Sequence, residues 1–227
     1  MSGLPIDAVL FDLDGTLVDS APDMAVAANR LRARHDLSPL PAGAYRAHVG
    51  SGARGMLKVA FGLQPAAEPE RFERLKAEFL ALYAEQLLVH TTLFDGVPQT
   101  LDFLAQRGVP WGIVTNKASA LARPIVQGLS ELGRAAVLIA GDTTGHTKPH
   151  PAPLLAAAEA LGVAPGRCAF VGDDIRDVMC GRAAGAVTVA AAWGYLGDGV
   201  AVTEWQADVL VDNPAQLPEA LKSLRMP

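Results

Sequence analysis

The sequence predicts an α/β protein: a parallel sheet covered by helices on both faces, interrupted near its N-terminus by an all-helical insertion. Two observations carry this. After Gly96, short apolar runs alternate with helical segments, the order that builds βαβ units. From Ala21 to about Leu88, by contrast, no strand signal occurs and the spacing of apolar residues is helical.

Taken in order, Ala8-Val-Leu-Phe-Asp12 is a short apolar run ending in polar residues, as a buried strand does. Pro22 then opens a helix with Asp23 in its first turn, and Ala25 to Arg34 contains no breaker. Gly50-Ser-Gly52 and the stretch from Gly62 to Pro69 punctuate the insertion, and Glu70 to Leu88 reads as one long amphipathic helix. Beyond Gly96, strands are expected at Trp111–Thr115, Ala136–Ala140, Cys168–Gly172, Val187–Ala191 and Asp208–Val211. Helices are expected at Ser119–Leu129, Pro153–Leu161, Ile175–Ala184 and Pro214–Leu224, with Gly162 and Gly185 closing the second and third. The chain thus divides into a core, 1–18 with 89–227, and a helical segment, 19–88.

The composition narrows the class. Of 227 residues half are hydrophobic and only 19% charged, which excludes a disordered chain. Cys168 and Cys180 are too few for a disulfide framework and fit no zinc spacing, so both read as buried thiols. Met1 to Leu10 lacks a basic leader and no stretch reaches the ~20 apolar residues of a membrane span, so a cytoplasmic location with no membrane partner is expected. A net charge of −5 argues against nucleic acid. From Ser20 to Leu88 nine Lys/Arg meet seven Asp/Glu, net +2, leaving −7 on the remainder. Such a split suits a cation and an anionic substrate, and equally suits ordinary surface variation.

Four polar clusters fall at expected strand ends, where open α/β sheets bind ligands. In Phe11-Asp-Leu-Asp-Gly-Thr-Leu17, alternation along an extended segment puts Asp12 and Asp14 on one side. A divalent cation relieves their repulsion; one can attack phosphorus while the other exchanges a proton with the leaving oxygen. Thr115-Asn-Lys117 offers a hydroxyl and backbone N–H groups that can cradle phosphate, although Thr and Asn are also ordinary helix caps. Lys148 can balance a nucleophilic carboxylate and a phosphate. Val171-Gly-Asp-Asp-Ile-Arg-Asp177 packs three acids into five residues, unfavourable unless a metal, Arg176 or water offsets it.

These clusters, in this order, resemble the haloacid dehalogenase superfamily, and the resemblance covers the whole chain. It implies a Rossmann-like core with a small helical cap and a site that transfers phosphoryl groups, since Asp14, which dehalogenases of the superfamily lack, is present. By the same resemblance Asp12 is the nucleophile and Asp14 the general acid/base. Thr115, Asn116, Lys148 and Gly15 serve the phosphate. Asp12, Asp173 and the Asp14 backbone carbonyl hold Mg²⁺, with Asp177 and Asp174 behind them. Asp14-Gly-Thr-Leu-Val-Asp-Ser20 is similar to the phosphoglycolate phosphatase group. Ser51-Gly-Ala-Arg-Gly-Met56, Trp111-Gly-Ile-Val-Thr-Asn-Lys117 and Trp193-Gly-Tyr195 are similar to the N-acetylmuramic acid 6-phosphate phosphatases within it. A phosphatase acting on a small phosphorylated metabolite, as monomer or homodimer, is expected; a phosphomutase of the same fold or a non-catalytic binding protein are the alternatives. Arg54, between glycines, is a candidate for pairing with a substrate carboxylate.

Overall fold

A computed structural model describes residues 4–224, so the outermost three residues at each end of the expected core lie outside it. Six parallel strands form the main sheet: β1 (Ala8–Phe11), β4 (Trp111–Val114), β5 (Val137–Ile139), β6 (Cys168–Gly172), β7 (Val187–Ala191) and β8 (Val209–Val211). Their order is β5-β4-β1-β6-β7-β8. All four residues of β1 are buried, as is normal for a parallel strand covered on both faces. Its register, Val9 opposite both Trp111 and Ala169, brings the carboxyl ends of β1, β4 and β6 together. The strand order turns back at β1, the place where doubly wound sheets bind their ligands.

The cap is all-helical: α1 (Ala21–Arg34), α2 (Gly43–Arg46), α3 (Gly52–Phe61) and α4 (Pro69–Ala84). In α3 the residues Ala53, Met56, Leu57 and Ala60 recur at i, i+3, i+4 and i+7, and the last three are buried. Helix α4 ends at Ala84, four residues short of the expected Leu88; Glu85 to Leu88 continues as turn. Two crossings join cap to core, and there β2 (Val18–Asp19) pairs antiparallel with β3 (Thr92–Leu93). Strands this short carry no periodicity and were not expected. Asp23 of α1 fastens the second crossing, its buried carboxylate accepting from the N–H groups of His90 and Thr91 and from the Thr91 hydroxyl.

The core helices are α5 (Val97–Gln106), α6 (Ser119–Gly128), α7 (Ala152–Leu161), α8 (Ile175–Ala184) and α9 (Leu217–Ser223). Helix α5, absent from the expected elements, starts with Pro98 in its first turn and buries Val97, Leu101 and Leu104. The expected C-terminal helix splits into a 3₁₀ turn at Pro214–Gln216 followed by α9. A continuous hydrophobic cluster includes Val9, Phe11 and Ile113 of the sheet together with Leu31, Met56 and Phe79 of the cap. Among the described residues no helix is long and apolar enough to cross a membrane. Cys168 and Cys180 are buried and unpaired, as expected.

Candidate active site

The chain leaves β1 and turns sharply. Gly15 has φ +87°, its N–H donates to the Val18 carbonyl, and an added Cβ would lie 2.0 Å from Asp173 Oδ2. Any side chain here would collide with that acid. Gly15 was expected to contact substrate. Instead its N–H is spent inside the turn, and its missing side chain makes room for Asp173.

Around this turn three acids converge. One carboxylate oxygen from each of Asp12, Asp173 and Asp177 lies within 4.8 Å of the others. Asp12 Oδ1 accepts from the Leu13 N–H and sits 2.9 Å from Lys148 Nζ, whereas Oδ2 makes no hydrogen bond among the described residues. Asp173 is held by the Thr16 hydroxyl on one oxygen and the Tyr195 N–H on the other. Asp177 Oδ2 accepts from the Asp174 N–H as part of a capping box at the start of α8. Its Oδ1 is, among the described residues, the buried side-chain atom without an aligned hydrogen bond, although Lys148 Nζ is 2.6 Å away.

Lys148 lies within this cluster, 4% exposed, and also donates to the Val114 carbonyl. Burial alone would lower its pKa, but the Asp12 and Asp177 charges outweigh that and the net shift is upward, so it is an ammonium. Burial pushes Asp177 up to about 7 and Asp173 well above the carboxylate range, each assisted by the Asp12 charge. Three acids against one ammonium, one of their buried oxygens without an aligned hydrogen bond, are an oxygen-donor set that a hard divalent cation would satisfy. Asp177, expected behind the ligands, stands in that set with Asp12 and Asp173.

Asp14 lines the same cavity but points to different partners. Lys117 Nζ donates to both of its oxygens, at 2.9 and 3.0 Å, and the Ser20 hydroxyl donates to Oδ1 at 2.5 Å. Lys117 also donates to the hydroxyl of Tyr83, on α4 of the cap. Neither Lys117 nor Tyr83 was singled out in the sequence for this contact. In the sequence Lys117 marks only the end of a phosphate cradle, and Tyr83 is separated from it by 34 positions.

The other expected residues divide. Thr115 lines the cavity, its hydroxyl oxygen accepting from the Lys117 N–H. Asn116 lines the cavity and uses both ends of its side-chain amide on the Lys148 backbone, so the side chain positions Lys148. Asp174 stands outside the acid cluster. Burial would raise its pKa, but both of its oxygens bind Arg176 and the net shift is downward. Arg176 in turn donates to the Gly50 carbonyl of the cap and lines the cavity. Arg54 does neither. The segment expected to be a glycine-flanked loop is a 3₁₀ turn running into α3, and Arg54 is exposed on that helix, outside the cavity wall.

The cavity, about 270 Å³, thus has a charged floor from the core and a largely apolar wall from Met24, Val49, Phe79, Leu80 and Leu121. A parallel sheet whose central strand ends in a carboxylate, beside a buried ammonium and two further acids, fits a hydrolase of phosphate esters. The chain belongs to the haloacid dehalogenase-like hydrolase family, whose model matches residues 6–185, and it is a phosphatase. It is 50% identical over 211 residues to a phosphoglycolate phosphatase of Xanthomonas campestris pv. campestris, covering 92% of this chain and 94% of that one. It is 41% identical over 221 residues to an N-acetylmuramic acid 6-phosphate phosphatase of Pseudomonas aeruginosa, covering 97% of each. The crystal structure of a predicted phosphoglycolate phosphatase from Haemophilus somnus superposes with a TM-score of 0.83 at 26% identity, over 95% of this chain and 98% of that one.

Proposed function

We propose that the chain is a Mg²⁺-dependent phosphomonoesterase that works through an aspartyl phosphate on Asp12. The observation carrying this is the asymmetry of Asp12: Oδ1 is fixed by Leu13 and Lys148, while Oδ2 is unengaged and the residue faces the cavity. In the first half-reaction Oδ2 bonds to phosphorus. The ester P–O bond breaks, and the departing oxygen takes the electron pair and a proton from Asp14. In the second half Asp14 takes a proton from water, whose oxygen bonds to phosphorus as the Asp12–phosphorus bond breaks. Lys148 neutralises charge on Asp12 and on the phosphoryl oxygens, and Thr115 offers its hydroxyl to them. Mg²⁺, held by Asp12 and Asp173 with Asp177 beside them, would supply positive charge against the phosphoryl oxygens when bound.

The cytoplasm is the proposed location, and the boundaries between core and cap are placed at 18/19 and 88/89. The substrate is a small phosphate ester of the kind the relatives' names give, 2-phosphoglycolate or N-acetylmuramic acid 6-phosphate. The apolar cap wall favours the second, because a two-carbon acid leaves Met24, Phe79 and Leu80 without contact and a substituted sugar does not.

A phosphate-release panel of both esters plus glucose 1- and 6-phosphates, with acid-quenched protein examined for labelled Asp12, tests the proposal. Label on Asp12 and release of phosphate are expected, with N-acetylmuramic acid 6-phosphate turned over faster than 2-phosphoglycolate. Label on serine or histidine would overturn the mechanism. Interconversion of the glucose phosphates without release would make the chain a mutase.

A further inference from the structure

We infer that Tyr83 is a positioning residue through which the closed cap sets the Asp14 carboxylate, acting by way of Lys117. The inference rests on the reading of Asp14 as the acid–base group. A lysine ammonium has three N–H donors. Here they meet three acceptors, Asp14 Oδ1 at 2.9 Å, Asp14 Oδ2 at 3.0 Å and the Tyr83 hydroxyl at 2.9 Å. The first two belong to the core and the third to the cap.

Lysine ends a flexible four-carbon stem, and its two core contacts go to one carboxylate, so they leave the pair without an anchor outside it. Tyr83 supplies one. Its ring is 1% exposed on α4 and stacked on Phe79 at 11° between ring planes, with Lys117 Nζ 4.7 Å from its centroid. A rigid aromatic hydroxyl with so little freedom is a fixed reference point for the ammonium. Asp14 is pinned on its other side by the Ser20 hydroxyl, from the first crossing into the cap. The carboxylate is therefore steered by groups that lie beyond the core, and it takes this orientation only while α4 is seated. The Lys117 and Asp14 side chains are largely shielded, 7% and 15% exposed, so the pair is weakened by solvent less than surface pairs are.

A purely structural tie between cap and core would lower turnover of every substrate alike. A tie that orients the acid–base group would not. Protonation by Asp14 matters for an alkyl leaving oxygen and little for nitrophenolate, which departs as an anion. The quantity to measure is kcat/KM, which ends at phosphorylation of Asp12 and excludes the water step.

Tyr83→Phe keeps the ring and its packing and removes the hydroxyl alone. It is expected to lower kcat/KM about tenfold for N-acetylmuramic acid 6-phosphate and less than about threefold for 4-nitrophenyl phosphate, a part of the ~10²–10⁴ that general acid catalysis supplies. Lys117→Gln should show the same preference, and Tyr83→Phe should add little in that background, since one acts through the other. Thermal unfolding of each variant confirms that the fold survives. Equal losses on the two esters, or a Tyr83→Phe loss that persists undiminished beside Lys117→Gln, overturn the inference. Asp14→Asn provides the reference: if it too leaves the alkyl-to-aryl ratio unchanged, the acid–base reading of Asp14 falls first and the inference falls with it. An Asp14 effect without a Tyr83 effect overturns only the inference.

Discussion

The two walls of the cavity are built on opposite principles. The core floor is ionic and tightly tied: Lys148 meets Asp12, Asp177 and the Val114 carbonyl, and Asn116 holds the Lys148 backbone by both ends of its amide. The cap wall is mainly apolar, from Met24, Val49, Phe79 and Leu80, with Ser51, Lys76 and Tyr83 as its polar members. The floor suits chemistry common to all phosphate esters, because a phosphoryl group presents the same charge whatever it is attached to. The wall suits discrimination by shape. At the cavity the polar contacts that cross between the two include Tyr83 to Lys117 and Arg176 to the Gly50 carbonyl.

The sharpest test of the floor is Asp12→Asn. The amide is nearly isosteric and keeps an oxygen for the Leu13 N–H, so the fold should survive. It is a poor nucleophile, and a fall in kcat of at least about 10³-fold is expected, by analogy with removing other covalent nucleophiles. Because the neutral amide no longer balances the Lys148 charge, circular dichroism and thermal unfolding must accompany the assay. Residual turnover near the wild-type value would leave the floor without its proposed nucleophile.

The floor's second property is its dependence on pH. Asp177, pushed up to about 7 by burial, and Asp173, also raised by burial, bind protons in the folded chain that the unfolded chain has released near pH 4. The native state therefore holds more protons than the unfolded state between these limits, and stability falls as pH rises through about 7. Metal-free protein should thus have a lower Tm at pH 8 than at pH 5.5. Added Mg²⁺ should raise Tm more at pH 8, by at least about 2 °C, since ~1 kcal/mol moves a domain of this size by roughly 2–4 °C. A Tm that does not respond to Mg²⁺ at either pH would separate the acid cluster from cation binding.

The same contrast explains what the sequence disclosed. Floor residues lie at strand ends in short motifs: alternation and position mark Asp12 and Asp14, the family resemblance implies roles for Thr115, Lys148 and Asp173, and all fall around one cavity or immediately beneath it. Contacts between cap and core join residues far apart in the chain, 34 positions for Tyr83 and Lys117 and 126 for Arg176 and Gly50, and no local pattern encodes them. Strands β2 and β3 escaped for a related reason: two residues have no period, and their pairing is set by the crossings. Helix α5 is different. Its Val97, Leu101 and Leu104 spacing after Gly96-Val-Pro98 was a readable signal. Arg54 was readable too. Ala53, Met56, Leu57 and Ala60 already define the inward stripe of α3, and Arg54 stands outside it.

The smallest expected effect therefore belongs to Arg54, and it separates two guanidiniums whose parts, read from the sequence, differ: Arg54 pairing with substrate and Arg176 offsetting its neighbouring acids. Arg54 is exposed on α3 and makes no side-chain hydrogen bond among the described residues. Arg54→Ala should change kcat/KM less than about twofold on both the sugar phosphate and 4-nitrophenyl phosphate, as surface substitutions usually stay within about ±0.5 kcal/mol. Arg176 reaches from the core to the Gly50 carbonyl and is clamped by Asp174. Its truncation strips the Asp174 carboxylate of its cation and the cap of a tie, so Arg176→Ala should cost more, about tenfold in kcat/KM, consistent with ~1.5–3 kcal/mol for a hydrogen bond to a charged group. Charge alone does not distinguish the two variants, since each removes one positive charge on the same side of the molecule's −5 balance. A larger loss for Arg54→Ala than for Arg176→Ala would mean that α3 turns its outer face to the substrate, and the apolar wall described for the cap would then be the wrong surface.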